Sequence, residues 1–146
     1  GQVVISCAME NPTSILFAED NPQDVRLLKY ALSQLDTQVN LLHYPDGQEL
    51  LAAVPGLYAA NIACVLVDLN MPFVNGFEVI TRLRANEDFR YVPIIVFTNT
   101  NSNEERLRCY ELGANAYVPK PLEIEELVKV VKSIFDFWVS TNMRVI

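Results

Sequence analysis

Val65-Leu66-Val67-Asp68-Leu69-Asn70-Met71-Pro72 decides how this chain is read. An uninterrupted apolar run from Ala63 stops at a single carboxylate, and Asn70, Pro72, Asn75 and Gly76 then supply loop residues. A short run with no polar alternation is the pattern of a strand buried on both faces, as in a parallel sheet. Asp68 therefore falls at the carboxyl end of a central strand, where open α/β sheets place their ligand sites. On position alone it could equally cap the loop or the next helix.

Working outward, the same pattern recurs. Ser14 to Ala18 is an apolar strand that runs into the acidic pair Glu19-Asp20, and Asn21-Pro22 then caps and opens a helix carrying Val25, Leu28, Leu32 and Leu35. Val39 to Tyr44 reads as the second strand, followed by a short helix behind Asp46. Asn75-Gly76 opens the third helix. Pro93 to Phe97 is the fourth strand and ends at Thr98. Ser102 with Glu105 forms a capping box for the fourth helix, which Gly113 closes. Ala116-Tyr117-Val118 is the fifth strand, ending at Pro119-Lys120-Pro121, and the fifth helix runs from about Glu123 to Trp138. Five alternations of strand and helix with short connections predict βαβ units, a parallel sheet and helices on both faces.

Composition narrows the function. The chain has 146 residues, enough for one domain, and its net charge of −7 argues against nucleic acid and anionic membranes as partners. No apolar run is long enough to span a bilayer. Residues 1–13 are expected to be a leader, in part of cloning origin, with Met9 as a natural start. Residues 14–138 are expected to be the domain and 139–146 a tail, with no output domain. Cys7, Cys64 and Cys109 are an odd number without metal-site spacing, which predicts a reducing, cytoplasmic setting. His43 has no partner motif and is expected to be structural.

The strand ends share one edge of a parallel sheet, so Glu19, Asp20, Asp68, Thr98 and Lys120 are expected to meet there. Clustered carboxylates repel unless a cation lies between them, and oxygen donors without His or Cys suit Mg²⁺, with Mn²⁺ as an alternative. A cation, the Lys120 ammonium and the Thr98 hydroxyl could neutralise three phosphoryl oxygens while Asp68 acts as nucleophile and forms an acyl phosphate.

These residues, in this order and spacing, resemble the receiver domains of bacterial two-component response regulators. The match rests on Glu19-Asp20, on Asp68 to Pro72 with Gly76, on Thr98 and on Lys120-Pro121, and it covers about Ser14 to Phe135. The resemblance implies a flavodoxin-like (βα)5 fold with strand order 2-1-3-4-5. It implies phosphorylation of Asp68 by a histidine kinase, with Mg²⁺ held by Asp20, Asp68 and the Asn70 carbonyl, and Glu19 acting through water. It assigns Thr98 and Tyr117 to a switch in which Thr98 moves toward the phosphoryl group and Tyr117 turns inward. No reaction is implied beyond the chain's own phosphorylation and dephosphorylation. Glu19 to Leu28, with Phe137-Trp138, is similar to single-domain regulators paired with bacterial phytochrome kinases.

Three other readings meet obstacles in these residues. A flavodoxin-type protein would need a phosphate cradle where Glu19-Asp20 stand. An aspartyl-phosphate phosphatase or phosphotransferase wants a second Asp where Asn70 stands. A receiver-like module that binds a partner without being phosphorylated would not need the intact acceptor set. Finally, Ile124, Leu127, Val128, Val131, Ile134, Phe135 and Trp138 form one helical stripe, with Val130 and Phe137 on a second apolar edge. Val130, Ile134 and Phe137 are expected to mark a dimer or kinase-docking face built on the fourth helix, fifth strand and fifth helix.

Overall fold

The apolar runs form one parallel sheet. In the computed structural model, which describes residues 13–36 and 38–145, the strands are β1 (Ser14–Ala18), β2 (Asn40–Tyr44), β3 (Ile62–Val67), β4 (Ile94–Thr98) and β5 (Ala116–Pro119), in spatial order β2-β1-β3-β4-β5. The flavodoxin-like order that the family resemblance implies is the one observed. The leader expected over residues 1–13 lies, apart from Thr13, outside the described residues.

Helices α1 (Pro22–Ser33), α2 (Gly47–Ala53), α3 (Gly76–Ala85), α4 (Asn103–Leu112) and α5 (Ile124–Phe135) follow the strands in turn. Four of them start where a side chain from the preceding loop accepts a backbone N–H: Asn21 from Gln23, Asp46 from Glu49, Asn75 from Glu78 and Ser102 from Glu105.

The period-2 alternation of the central strands sorts the core into two layers. Leu16, Ala18, Val65, Val67, Ile94 and Val96 pack with residues of α2, α3 and α4, among them Leu50, Ile80 and Cys109. Ile15, Phe17, Cys64, Leu66, Ile95 and Phe97 pack with residues of α1 and α5, among them Leu28, Leu127, Val131 and Phe135. The central strands are thus buried on both faces, which is why they read as unbroken apolar runs.

Arg84, at the end of α3, fixes the amino-terminal edge of the sheet. Its Nε donates to the Gly113 carbonyl (2.9 Å), one terminal nitrogen to the Val92 and Arg90 carbonyls (2.7 and 3.2 Å), and the other to Asn115 Oδ1 (2.7 Å), which also accepts the Ile94 N–H (2.8 Å). Gly113 adopts φ +112°, and a Cβ there would meet the Arg84 side chain at 2.9 Å, so both backbone angle and space require glycine.

Helix α5 departs from its sequence reading at both ends. Ile124 is 40% exposed, because the first turn overhangs the core. Beyond Phe135 the helix widens into a π-helical segment, Asp136–Thr141, in which the Asn142 N–H reaches the Phe137 carbonyl. The wider turn lets Trp138 and Val139 pack against the α1–α5 core layer.

Candidate functional site

The backbone ladder sets up the site. The Asp68 N–H donates to the Ala18 carbonyl (3.3 Å), the Glu19 N–H to the Tyr44 carbonyl (3.1 Å) and the Lys120 N–H to the Thr98 carbonyl (2.7 Å). Each residue just past a strand is thereby held in the extension of the sheet, and Glu19, Asp68, Thr98 and Lys120 come together as the sequence predicted. Gly76 lets α3 start hard against this edge, since a Cβ there would collide with the Asp68 carbonyl. Glu19, Asp68 and Thr98 are buried, whereas Asp20 is exposed at the rim.

Asp68 is surrounded by donors. Its Oδ1 accepts from the Thr98 hydroxyl (3.0 Å) and from the Asn70 N–H (3.2 Å), and its Oδ2 accepts from Lys120 Nζ (3.1 Å). The same ammonium donates to Glu19 Oε1 and to Asp24 Oδ2 (2.9 Å). Asn70 joins through its main-chain N–H, so its side chain is not needed for this contact.

Burial pushes the Glu19 carboxyl up to about 7, helped by the neighbouring Asp68 charge and opposed by Lys120 and the Asn21 N–H. Burial alone would lower the Lys120 ammonium. The hydrogen bonds to Glu19 and Asp24 and the charges of Asp68 and Glu19 outweigh it and raise it instead.

One carboxylate oxygen each from Glu19, Asp20 and Asp68 lies within 4.8 Å of the other two. An all-oxygen set of this size suits a small hard divalent cation. Lys120 already places one positive charge between Glu19 and Asp68, so this edge is shaped to hold cationic charge.

Tyr117 is buried, and its hydroxyl donates to the Thr100 carbonyl (3.0 Å). Its oxygen also lies 3.3 Å from the Thr100 hydroxyl, which in turn lies 3.3 Å from that of Thr98. The inward turn expected on phosphorylation is therefore already made here. The ring is held by Thr100 on one side and by the Arg106 guanidinium, 5.4 Å from its centroid, on the other. His43 is structural: its Nε2 lies 2.9 Å from the Glu19 carbonyl and its ring 5.7 Å from that of Phe17.

The expected place of Ile134 in an α5 interface is corrected. Ile134 is 6% exposed and packs in the core, and Val130 is half-buried against it. Helical phase alone could not show that the core layer wraps this far round α5. Phe137 is 49% exposed, edge-on to Trp138 at 4.8 Å between ring centroids.

Asp24 escaped the sequence reading as a site residue. An acid in the first turn of a helix reads as a charge favouring the helix N-terminus. Only its phase, one turn past Glu19-Asp20, hints that it points back to the strand edge.

Comparison with known proteins agrees with this geometry. Residues 15–132 match the family described as "Response regulator receiver domain". The chain is 31% identical over 136 residues to the probable methanogenesis regulatory protein FilR2 of Methanothrix harundinacea, covering 91% of this chain and 88% of that one. It is 31% identical over 134 residues to response regulator Rcp1 of Synechocystis, covering 89% and 91%. Among solved structures, the Mn²⁺-bound form of Rcp1 superposes with a TM-score of 0.81 at 29% identity, covering 92% of this chain and 100% of that one. The phosphorylated cyanobacterial phytochrome response regulator RcpA superposes with a TM-score of 0.83 at 28% identity, covering 91% and 98%.

Proposed function

Because the chain belongs to the response regulator receiver domain family, we propose that it accepts a phosphoryl group on Asp68 from the phosphohistidine of a histidine kinase, one of the phytochrome class. One observation carries this reading: three different donors, from Thr98, the Asn70 main chain and Lys120, converge on the two oxygens of one buried carboxylate. In the transfer, an Asp68 oxygen forms the new bond to phosphorus as the nitrogen–phosphorus bond breaks. The imidazole leaves with that electron pair, and the carboxylate becomes an acyl phosphate.

Glu19, Asp20, Asp68 and the Asn70 carbonyl would hold Mg²⁺, which would neutralise phosphoryl charge that the carboxylates otherwise repel. Lys120 holds one phosphoryl oxygen and Thr98 another. When Thr98 shifts its hydrogen bond from Asp68 to the phosphoryl group, the Thr98–Thr100–Tyr117 contacts carry the change to the surface beside β5. The phosphorylated form is selected by contacts that only it makes. Phe137 supports a further part of the proposal, self-association or docking through α4, β5 and α5. The buried free thiols of Cys64 and Cys109 support a reducing, cytoplasmic setting.

The test is incubation with acetyl phosphate and Mg²⁺, intact mass measurement and mapping of the acyl phosphate. The wild type gains one phosphoryl group and Asp68→Asn gains none. Equal labelling of the two proteins would refute the assignment.

A further inference from the structure

An ammonium has three N–H donors. In Lys120 all three are taken, by Glu19, Asp24 and Asp68. Two of these carboxylates, Glu19 and Asp68, also belong to the group whose oxygens could share a metal ion; Asp24 does not. Its contact with the site runs through Lys120. A phosphoryl oxygen on Asp68 can be held by Lys120 only if one of the three present acceptors gives way. Glu19 and Asp68 lose their claim on the ammonium once a divalent cation draws their charge. Asp24 keeps its claim, because it lies outside that group.

We propose that Asp24 is a positioning residue that competes with the phosphoryl group for Lys120, and so sets how readily Asp68 is loaded. The proposal rests on the receiver chemistry above. Asp24 and Lys120 also line one cleft of about 180 Å³ between α1 and the segment Pro121–Leu122, with Asp24 the more exposed of the two. Exchanging the carboxylate for an amide keeps the size and an acceptor oxygen but removes the charge assistance, which weakens the grip on Lys120.

The experiment measures the acetyl phosphate labelling rate and the affinity for beryllofluoride, both at saturating Mg²⁺, for the wild type, Asp24→Asn, Asp24→Glu and Glu123→Gln. Glu123 is the charge control. It lies three residues beyond Lys120, is exposed, and makes no ion pair among the described residues. Asp24→Asn is expected to load faster and bind the mimic about fivefold tighter, as a charged hydrogen bond gives way to a neutral one. Asp24→Glu should behave as the wild type and Glu123→Gln should shift by less than about twofold, exposed charges being well screened. Mg²⁺ affinity should stay near that of the wild type in all four.

A purely structural Asp24, serving the N-terminus of α1, would lower the melting temperature of Asp24→Asn without tightening anion binding, and that result overturns the proposal. So does an equal gain in Glu123→Gln, which would reduce the effect to bulk charge. A wild type that labels on Asp68 beside an unchanged Asp24→Asn refutes this inference alone. A wild type that neither labels nor binds the mimic refutes the receiver chemistry, and the inference with it.

Discussion

Replacing Glu19 with Gln removes a carboxyl that the fold holds at about 7 against an ordinary 4.5. Its folded value is raised, so the sign is the reverse of a salt-bridged surface acid. Between 4.5 and 7 the native state binds this proton more tightly than the unfolded chain does, and stability falls as pH rises through that window. Below it the loss is absent; above it the loss is complete at about 3 kcal/mol. Integrated from pH 5 to pH 8, the Glu19 contribution changes by about 2–3 kcal/mol. Gln has no proton to lose, so the variant should lack this slope. The raised Lys120 ammonium contributes stability that is lost only above its ordinary 10.5, outside the interval. Denaturant unfolding of both proteins at pH 5 and pH 8, in EDTA, gives the double difference, in which the titrating groups remote from Glu19 cancel. The variant should gain about 2–3 kcal/mol on the wild type between the two pH values, or about 5–10 °C in melting temperature for a domain of this size. Parallel stability curves would show that ionised Glu19 carries no net cost, and the electrostatic account of the site would fall.

Three further outcomes are expected. Lys120→Met leaves Glu19, Asp24 and Asp68 without their shared cation and should cost about 3–5 kcal/mol at pH 8, less at pH 5, with partial recovery in Mg²⁺; pH-resolved urea melts check this. Arg84→Met strips donors from the carbonyls of Gly113, Val92 and Arg90 and from Asn115, and should cost about 2–4 kcal/mol, read as a fall in the urea midpoint with no change in the slope. Phe137→Asp should leave stability nearly unchanged but abolish any tightening of self-association by beryllofluoride, measured by sedimentation; an unaffected dimer would place the interface elsewhere.

The parallel sheet and the meeting of Glu19, Asp68, Thr98 and Lys120 were legible in the residues for one reason, whereas the strand order came from the family resemblance. Parallel strands all end on one edge, so finding the strand ends finds the site. Asp24 was not legible, because its contact with Lys120 depends on the direction of a side chain in the first turn of α1. Arg84 was hidden in the same way: a basic residue in the last turn of α3 reads as a helix-end charge, whereas here it binds uncharged carbonyls. The placing of Ile124 in the core stripe and of Ile134 in an interface has a different cause. Helical phase gives the angle of a residue about the axis, but not how far a helix overhangs the sheet or how wide the core layer is. The sequence pattern also carries no information on the side-chain rotamer of Tyr117, whose inward position depends on Thr100 and Arg106.

The Arg84 clamp has a consequence for how the protein answers its medium. Its acceptors are neutral carbonyls and an amide, so dissolved ions have little there to screen. The opposite edge is built from four carboxylates, Glu19, Asp20, Asp24 and Asp68, around one ammonium, and mobile ions reach it at its exposed rim, Asp20. Added salt should therefore alter one end of the sheet and leave the other alone. In hydrogen exchange, the amides of Ile94 and Asn115 should keep a constant protection across ionic strength while those of Asn70 and Lys120 drift. Such a domain would carry its own fixed reference, an ion-indifferent floor against which every electrostatic event at the far edge is registered.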